Sequence, residues 1–112
     1  VKVGITGGSG FIGSHVVDHL IRAGHQVRVL DGQRPLRLDV AWEPCDITRL
    51  SQITAAVAGC EALYHLAAMA NVNDVAAAPA ESVETNVLGT GLALEAARLG
   101  GVKHFILAST VW

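Results

Sequence analysis

Between an apolar run, Val1 to Ile5, and an amphipathic run after Phe11 stands Thr6-Gly7-Gly8-Ser9-Gly10-Phe11-Ile12-Gly13. Its glycines satisfy two spacings at once. Gly8, Gly10 and Gly13 give GxGxxG; Thr6, Gly7, Gly10 and Gly13 give TGxxGxxG. A pyrophosphate must approach backbone closely, so side chains in such a turn would obstruct it, and glycine also admits the positive φ of a tight strand-to-helix turn. A helix beginning near Phe11 would aim unpaired N–H groups and its positive dipole end at the anion, without help from a lysine. A glycine-rich turn also simply joins a strand to a helix; the strand–turn–helix context gives this one its chemical meaning.

Asp31 supplies that context. It ends the next apolar run, eighteen positions past Gly13, near the spacing at which a carboxylate reaches an adenosine ribose. A carboxylate accepts hydrogen bonds from the 2′ and 3′ hydroxyls, whereas a 2′-phosphate there would set two anions together. NAD is therefore favoured over NADP. Arg34 and Arg37, just beyond, weigh the other way as possible phosphate receivers, and the plain alternative for Asp31 is a turn residue before Gly32.

Further along, Asp46 either caps a helix or, with Ile47, borders an adenine. His65, within an apolar run, is expected to be a hydrogen-bonded core residue, since no acid or nucleophile is spaced to partner it. Asn86 interrupts a helical pattern as a satisfied amide or a functional one. Ser109 and Thr110 close a final apolar run; the plain alternative for Thr110 is a strand-end hydroxyl bonded to backbone.

The elements that must position these residues alternate. Strands are expected at 1–6, 26–31, 40–44, 61–67 and 102–109, with helices at 11–23, 49–58 and 80–100 and loops at 32–39 and 69–79. In the first helix Ile12, Val16, Val17, Leu20 and Ile21 form one stripe; in the last, Val83, Val87, Leu88, Leu92, Leu94, Ala96 and Leu99 are the apolar positions. Gly89 and Gly91 each cost that helix about 1 kcal/mol, which close approach to sheet or cofactor would offset. The fold class is α/β: a doubly wound parallel sheet, order 3-2-1-4-5, helices on both faces. A ligand then lies across the carboxyl ends where strands 1 and 4 diverge.

Composition agrees with this fold and excludes other classes. The 112 residues are 51% hydrophobic and 16% charged with net charge -2, which points to heavily buried strands and away from a nucleic-acid surface. No apolar run is long enough to cross a bilayer as a helix. Cys45 and Cys60 belong to no metal or disulfide pattern and read as reduced thiols of a cytoplasmic protein; no metal site is expected. Without an initiating methionine, and stopping at Trp112 just past an apolar run, both ends read as cut.

Taken together, TGGSGFIG, Asp31, Asp46-Ile47, HLAA at 65–68, NVLGT at 86–90 and FILAST at 105–110 resemble the extended short-chain dehydrogenase/reductase family, also called the NAD-dependent epimerase/dehydratase family, and within it the sugar-nucleotide epimerases. The resemblance implies a Rossmann fold over 1–112, an NAD(P)-binding domain cut before a YxxxK motif and a substrate-binding C-terminal part. It assigns Gly7, Gly10 and Gly13 to the turn, Phe11 and Ile12 to the pyrophosphate, Asp31 to the ribose, and Asp46 and Ile47 to adenine. Leu66, Ala67 and Ala68 would line the middle of the cofactor, with Asn86 and Ser109 at the reacting end and Thr110 as the catalytic hydroxyl. HLAA and NVLGT select TGxxGxxG over GxGxxG as the relevant register.

What the resemblance implies for activity is transient hydride transfer from a substrate carbinol carbon to NAD, as in epimerases and dehydratases acting on a nucleotide sugar, in a cytoplasmic homodimer. The proton shuttle would be the tyrosine of YxxxK, its pKa lowered by the lysine. Tyr64 is the single tyrosine here and has no lysine at that spacing, so the 112 residues alone are expected to be inactive. Two alternatives stand: a net reductase or dehydrogenase of a steroid-like or flavonoid-like alcohol, and a non-catalytic NAD(P)-binding sensor module.

Overall fold

The computed structural model describes residues 1–110. Five parallel strands, β1 (Lys2–Thr6), β2 (Gln26–Leu30), β3 (Ala41–Glu43), β4 (Ala62–His65) and β5 (His104–Leu107), form one sheet in the order β3-β2-β1-β4-β5. Helices α1 (Phe11–Arg22) and α2 (Leu50–Ala56) follow β1 and β3. Between β4 and β5 run α3 (Val72–Ala77), α4 (Pro79–Val83), a π-helical turn (Glu84–Leu88) and α5 (Gly89–Leu99).

The period-2 alternation of the central strands sorts the core into two layers. Val3 and Ile5 of β1 with Val27 and Val29 of β2 face α1, meeting Val17 and, in part, Val16, Leu20 and Ile21. Leu30 and Leu63 face the opposite side, against Ile53, Ala56 and Val57 of the α2 region and Ala96 and Ala97 of α5. Register sets Thr6 beside both Leu30 and His65. The carboxyl ends of β1, β2 and β4 therefore emerge together.

Several expectations need correction. The strands are shorter at their ends than the apolar runs, and burial is confined to the centre: β3 and β5, as sheet edges, carry mostly exposed or half-buried side chains. Residues 72–77 form a helix where a loop was expected, because Asn71 caps it, its Oδ1 accepting from the amides of Asn73 (2.9 Å) and Asp74 (3.2 Å). The 80–100 helix is interrupted by the π turn, closed by the Gly89 N–H donating to the Glu84 carbonyl.

The faces of the helices also differ from their apolar patterns. Ile12 points to solvent rather than joining the α1 stripe, and Val83, Val87, Leu88, Leu94 and Leu99 are exposed. The small residues Gly89, Ala93, Ala96 and Ala97 are what α5 buries, since a helix lying close on α2 and on the segment after β3 favours small side chains at the contact. Gly89 shows this directly: a Cβ there would lie 2.6 Å from Ile47 Cδ1. Gly91 has open space around it, so close approach does not account for it.

Candidate functional site: a cleft at the carboxyl ends of the strands

The glycine turn leaves β1 at Gly7, whose φ is +71° and where a Cβ would come within 2.8 Å of the Ala67 nitrogen. Only glycine fits such backbone at that distance from a neighbouring strand. The turn is tied to β2 by the Gly7 N–H on the Leu30 carbonyl (3.1 Å), and closes on itself through the Gly10 N–H on the Gly7 carbonyl (3.1 Å). At Gly13 a Cβ would collide with the Gly7 carbonyl oxygen, so this position lets α1 seat against the turn. The α1 N-terminus has no side-chain cap and no acid in its first turn. Its positive end is left for an external anion.

Asp31 stands at the rim, just past β2. Its Oδ2 accepts from the Ser9 amide (3.1 Å) and its Oδ1 from the Gln33 amide (2.9 Å). The Ser9 hydroxyl donates to the Gln33 carbonyl (2.6 Å), so the turn and the loop after β2 clasp the carboxylate between them. The two arginines after Asp31 have partners of their own. Arg37 pairs with Asp39 and Asp18 (2.9 Å to the latter), which raise its pKa, and its guanidinium in turn holds Asp39 below its ordinary value. The Arg34 guanidinium lies 4.6 Å from the centre of the Trp42 ring.

Across the cleft, Asp46 does not cap α2, whose N-cap is Arg49 without a side-chain bond. Its Oδ1 instead accepts from the amide (2.9 Å) and hydroxyl (2.6 Å) of Thr48, bonds that lower its pKa. The Asp46 amide donates to Gln52 Oε1 (2.8 Å). Burial and nearby carboxylates push Cys45 up to about 11, which makes it an inert thiol wall; Cys60 is buried and free as well.

The cleft enclosed by these pieces measures about 620 Å³ and is lined by Gly7, Gly10, Asp31, Asp46, Ile47, Leu66, Ala67 and Ala68 among others. A second cavity of about 290 Å³ continues past Leu66, Ala67 and Ala68 to His65, Asn86 and Thr90. Asn86 grips the segment after β4 at one residue: its Oδ1 accepts from the Met69 amide (2.7 Å) and its Nδ2 donates to the Met69 carbonyl (3.0 Å). Phe11 and Ile12 are exposed at the helix start. Ser109 and Thr110 follow β5, exposed, and line neither cavity.

Sequence pattern alone missed several lining residues. Gln33, Thr48 and Gln52 lie in loops and a helix start with no motif, and are placed by hydrogen bonds to Asp31 and Asp46. Thr90 sits four residues past Asn86, and its i to i+4 spacing was the available signal. Among the described residues no cluster of three or more metal-binding side chains occurs.

A parallel sheet with a glycine turn after β1, an acid after β2 and a cleft across the switch point matches one family model, the NAD dependent epimerase/dehydratase family, over residues 3–112. The chain belongs to that family. This member is 33% identical to the UDP-glucose 4-epimerase of Klebsiella pneumoniae, over 98% of this chain and 89% of that one. It is 32% identical to the 3-beta-hydroxysteroid dehydrogenase of Mycolicibacterium neoaurum, over 97% of this chain and 32% of that one. The UDP-glucose 4-epimerase of Thermus thermophilus, solved in complex with NAD, superposes at a TM-score of 0.89 with 33% identity, covering 98% of this chain and 38% of that one. The family member thus spans nearly the whole of the first relative and about a third of the other two.

Proposed function

We propose that this family member is the NAD-binding domain of an enzyme that acts on a nucleotide sugar by transient hydride transfer. Residues 1–112 make one such domain, with a proton-shuttling YxxxK and a substrate-binding part in the longer protein. The observation that carries the cofactor choice is the Asp31 carboxylate, fixed by the Ser9 and Gln33 amides at the cleft rim while Arg37 is held by Asp18 and Asp39. Two free lone-pair directions on such a carboxylate suit the ribose hydroxyls, and a 2′-phosphate would meet an anion there, with Arg37 already paired to Asp18 and Asp39.

The residues present fit a dinucleotide. Gly7, Gly10 and Gly13 shape the turn, and the amides of Phe11 and Ile12 at the start of α1 receive the pyrophosphate. Asp46 and Ile47 border the base, while Leu66, Ala67 and Ala68 form an apolar wall that keeps water from the cleft's middle. Asn86 and Ser109 belong to the reacting end, and Thr110 is the hydroxyl that hydrogen-bonds the substrate oxygen. The bound nicotinamide supplies a reversible hydride acceptor. UDP-glucose 4-epimerase relatives at 33% identity support a nucleotide sugar as substrate, and the exposed apolar side chains Val83, Val87 and Leu94 supply a face for a homodimer. A cytoplasmic setting is consistent with two free buried thiols; no helix among the described residues is long and apolar enough to cross a membrane.

Calorimetric titration with NAD and with NADP tests the cofactor: NAD should bind more tightly, and equal or tighter NADP binding would overturn the Asp31 assignment. For the longer protein, the stretch following Thr110 should contain YxxxK, and its absence would sink the hydride-transfer proposal. A second reading, net oxidation of a steroid-like alcohol, is favoured by the 3-beta-hydroxysteroid dehydrogenase relative. NADH accumulating in step with product would select it; turnover with no net NADH would select epimerisation.

A further inference from the structure

Behind the cleft wall lies a buried polar chain that joins its two anchors. Thr6 and His65, register partners on β1 and β4, are almost wholly buried. The Thr6 hydroxyl oxygen accepts from the Ala67 amide (3.2 Å) and shares the Leu66 amide (3.1 Å) with the Thr6 backbone carbonyl (3.2 Å). Its single proton is left for His65 Nδ1, 2.7 Å away. On the other side of the ring, Nε2 lies 3.1 Å from Thr90 Oγ1. The Thr90 proton is committed to the Asn86 carbonyl, 2.7 Å away, an atom that can only accept. Every donor then has an acceptor in one arrangement alone: His65 neutral, protonated on Nε2, with Nδ1 accepting.

We infer that His65 is a positioning residue that couples the π turn to the cofactor wall, transmitting the placement of Asn86 and Thr90 through its imidazole to Thr6 and the Leu66 and Ala67 amides. The segment from Leu66 to Met69 is held at its start by Thr6 and at its end by the Asn86 side chain. His65 is the bridge between those two holds. No shorter side chain spans both hydroxyls, and an aliphatic one strands the buried Thr6 hydroxyl proton and removes the Nε2–H donor from the half-buried Thr90 hydroxyl. Depression of its proton affinity by burial agrees with a neutral ring. The inference rests on the cleft being a dinucleotide site for its functional meaning, though not for the tautomer.

Two measurements on the chain itself decide it. Two-bond proton–nitrogen NMR correlations of the 15N-labelled chain should show Nε2 protonated and Nδ1 bare at neutral pH; the opposite tautomer or a charged ring would overturn the network. NAD titration should then rank wild type above His65→Asn above His65→Leu. Asn keeps an acceptor for Thr6 but cannot reach Thr90, and Leu should bind roughly tenfold more weakly. Equal NAD affinity in wild type and His65→Leu would overturn the positioning role. Should His65→Leu not fold, Thr90→Val, which removes the acceptor for Nε2–H together with the hydroxyl on the Asn86 carbonyl, should weaken NAD several-fold and blur the tautomer signal; unchanged affinity there would equally overturn it. If wild type itself fails to bind NAD, the cleft's proposed ligand is wrong, while the NMR result still decides the tautomer.

Discussion

At the rim beside β2, the cleft is closed on several sides by pieces of this chain: the glycine turn, Asp31 with its two amide donors, the Asp46–Thr48 turn and the Cys45 wall. Beyond β4 the enclosure thins. β5 carries Ile106 and Leu107 at 37% and 53% exposure, and Ser109 and Thr110 after it are exposed. The contrast teaches where the energy of a bound dinucleotide can come from. The β2 side, the adenosine end on the proposed function, is hydrogen-bonded through short loops, whereas the β4 side, the reacting end on that reading, has a prepared floor, Leu66 to Met69. Substitutions should therefore separate by end: large effects on NAD binding at the first, small ones at the second.

The largest effect is expected at Gly7. Valine there adopts a positive φ that costs about 1–3 kcal/mol and also overlaps the Ala67 backbone, so Gly7→Val should leave NAD binding undetectable by calorimetry and lower the urea midpoint. Binding within a few-fold of wild type would show that the turn is not the anchor. Asp31→Ala comes next. It removes a charge-assisted acceptor and frees the Ser9 and Gln33 amides, and should weaken NAD roughly 30-fold while narrowing the preference over NADP. Unchanged preference would mean that Asp31 only holds its loop.

These two positions were also the most legible in the sequence, and the reason is local. Gly7 is dictated by a turn between adjacent elements, and Asp31 by the fixed length of a strand–helix–strand unit, so spacing reveals both. Strand order followed from alternation for the same cause. What stayed hidden depends on residues distant in sequence. The small-residue face of α5 could not be told from its large-residue face by apolar pattern, because close packing on α2 and Ile47 rather than hydrophobicity chose Gly89, Ala93 and Ala97. Nor could spacing show that Arg37 would be spent on Asp18, nineteen residues earlier on α1. His65 was legible as a satisfied core histidine, but its partners Thr6 and Thr90 come from two other elements.

A pH effect of middle size follows from that burial. His65 titrates below its ordinary 6.5 in the folded chain, while the unfolded chain takes up its proton near that value. Below about pH 6.5 the unfolded state therefore binds more protons, and stability, full above it, declines as pH falls through the folded value. The groups facing the ring from β1, α5 and β5 are Thr6, Thr90 and Phe105, none of them charged. Asp46, Asp39 and Glu95 are depressed too, but as carboxylates their stabilisation is lost only in a lower, separate window. The urea midpoint should drop between about pH 7 and 5.5 in wild type and drop less in His65→Leu; parallel curves would assign the effect elsewhere.

Two glycines on one helix sharpen the comparison further. Gly91→Ala meets open space and should raise stability by about 0.5–1 kcal/mol through helix propensity, with NAD affinity unchanged. Gly89→Ala gains the same propensity but must displace Ile47, which lines the cleft, so its stability should change little and its NAD affinity fall about threefold. Equal behaviour of the two variants would mean that Ile47 yields without touching the site.

The smallest expected effect is the most discriminating. Thr110 lies past the edge strand, exposed, and lines neither cavity, so Thr110→Ala in this chain should leave NAD affinity within about twofold. On the proposed function, the same substitution in an enzyme carrying the YxxxK part should cut turnover strongly while cofactor binding holds, because a hydroxyl bonding the reacting oxygen would act in the transition state rather than on the adenosine. A matching loss of NAD affinity in the 112-residue chain would place Thr110 on the cofactor, and the division between a binding end and a reacting end would have to be drawn elsewhere.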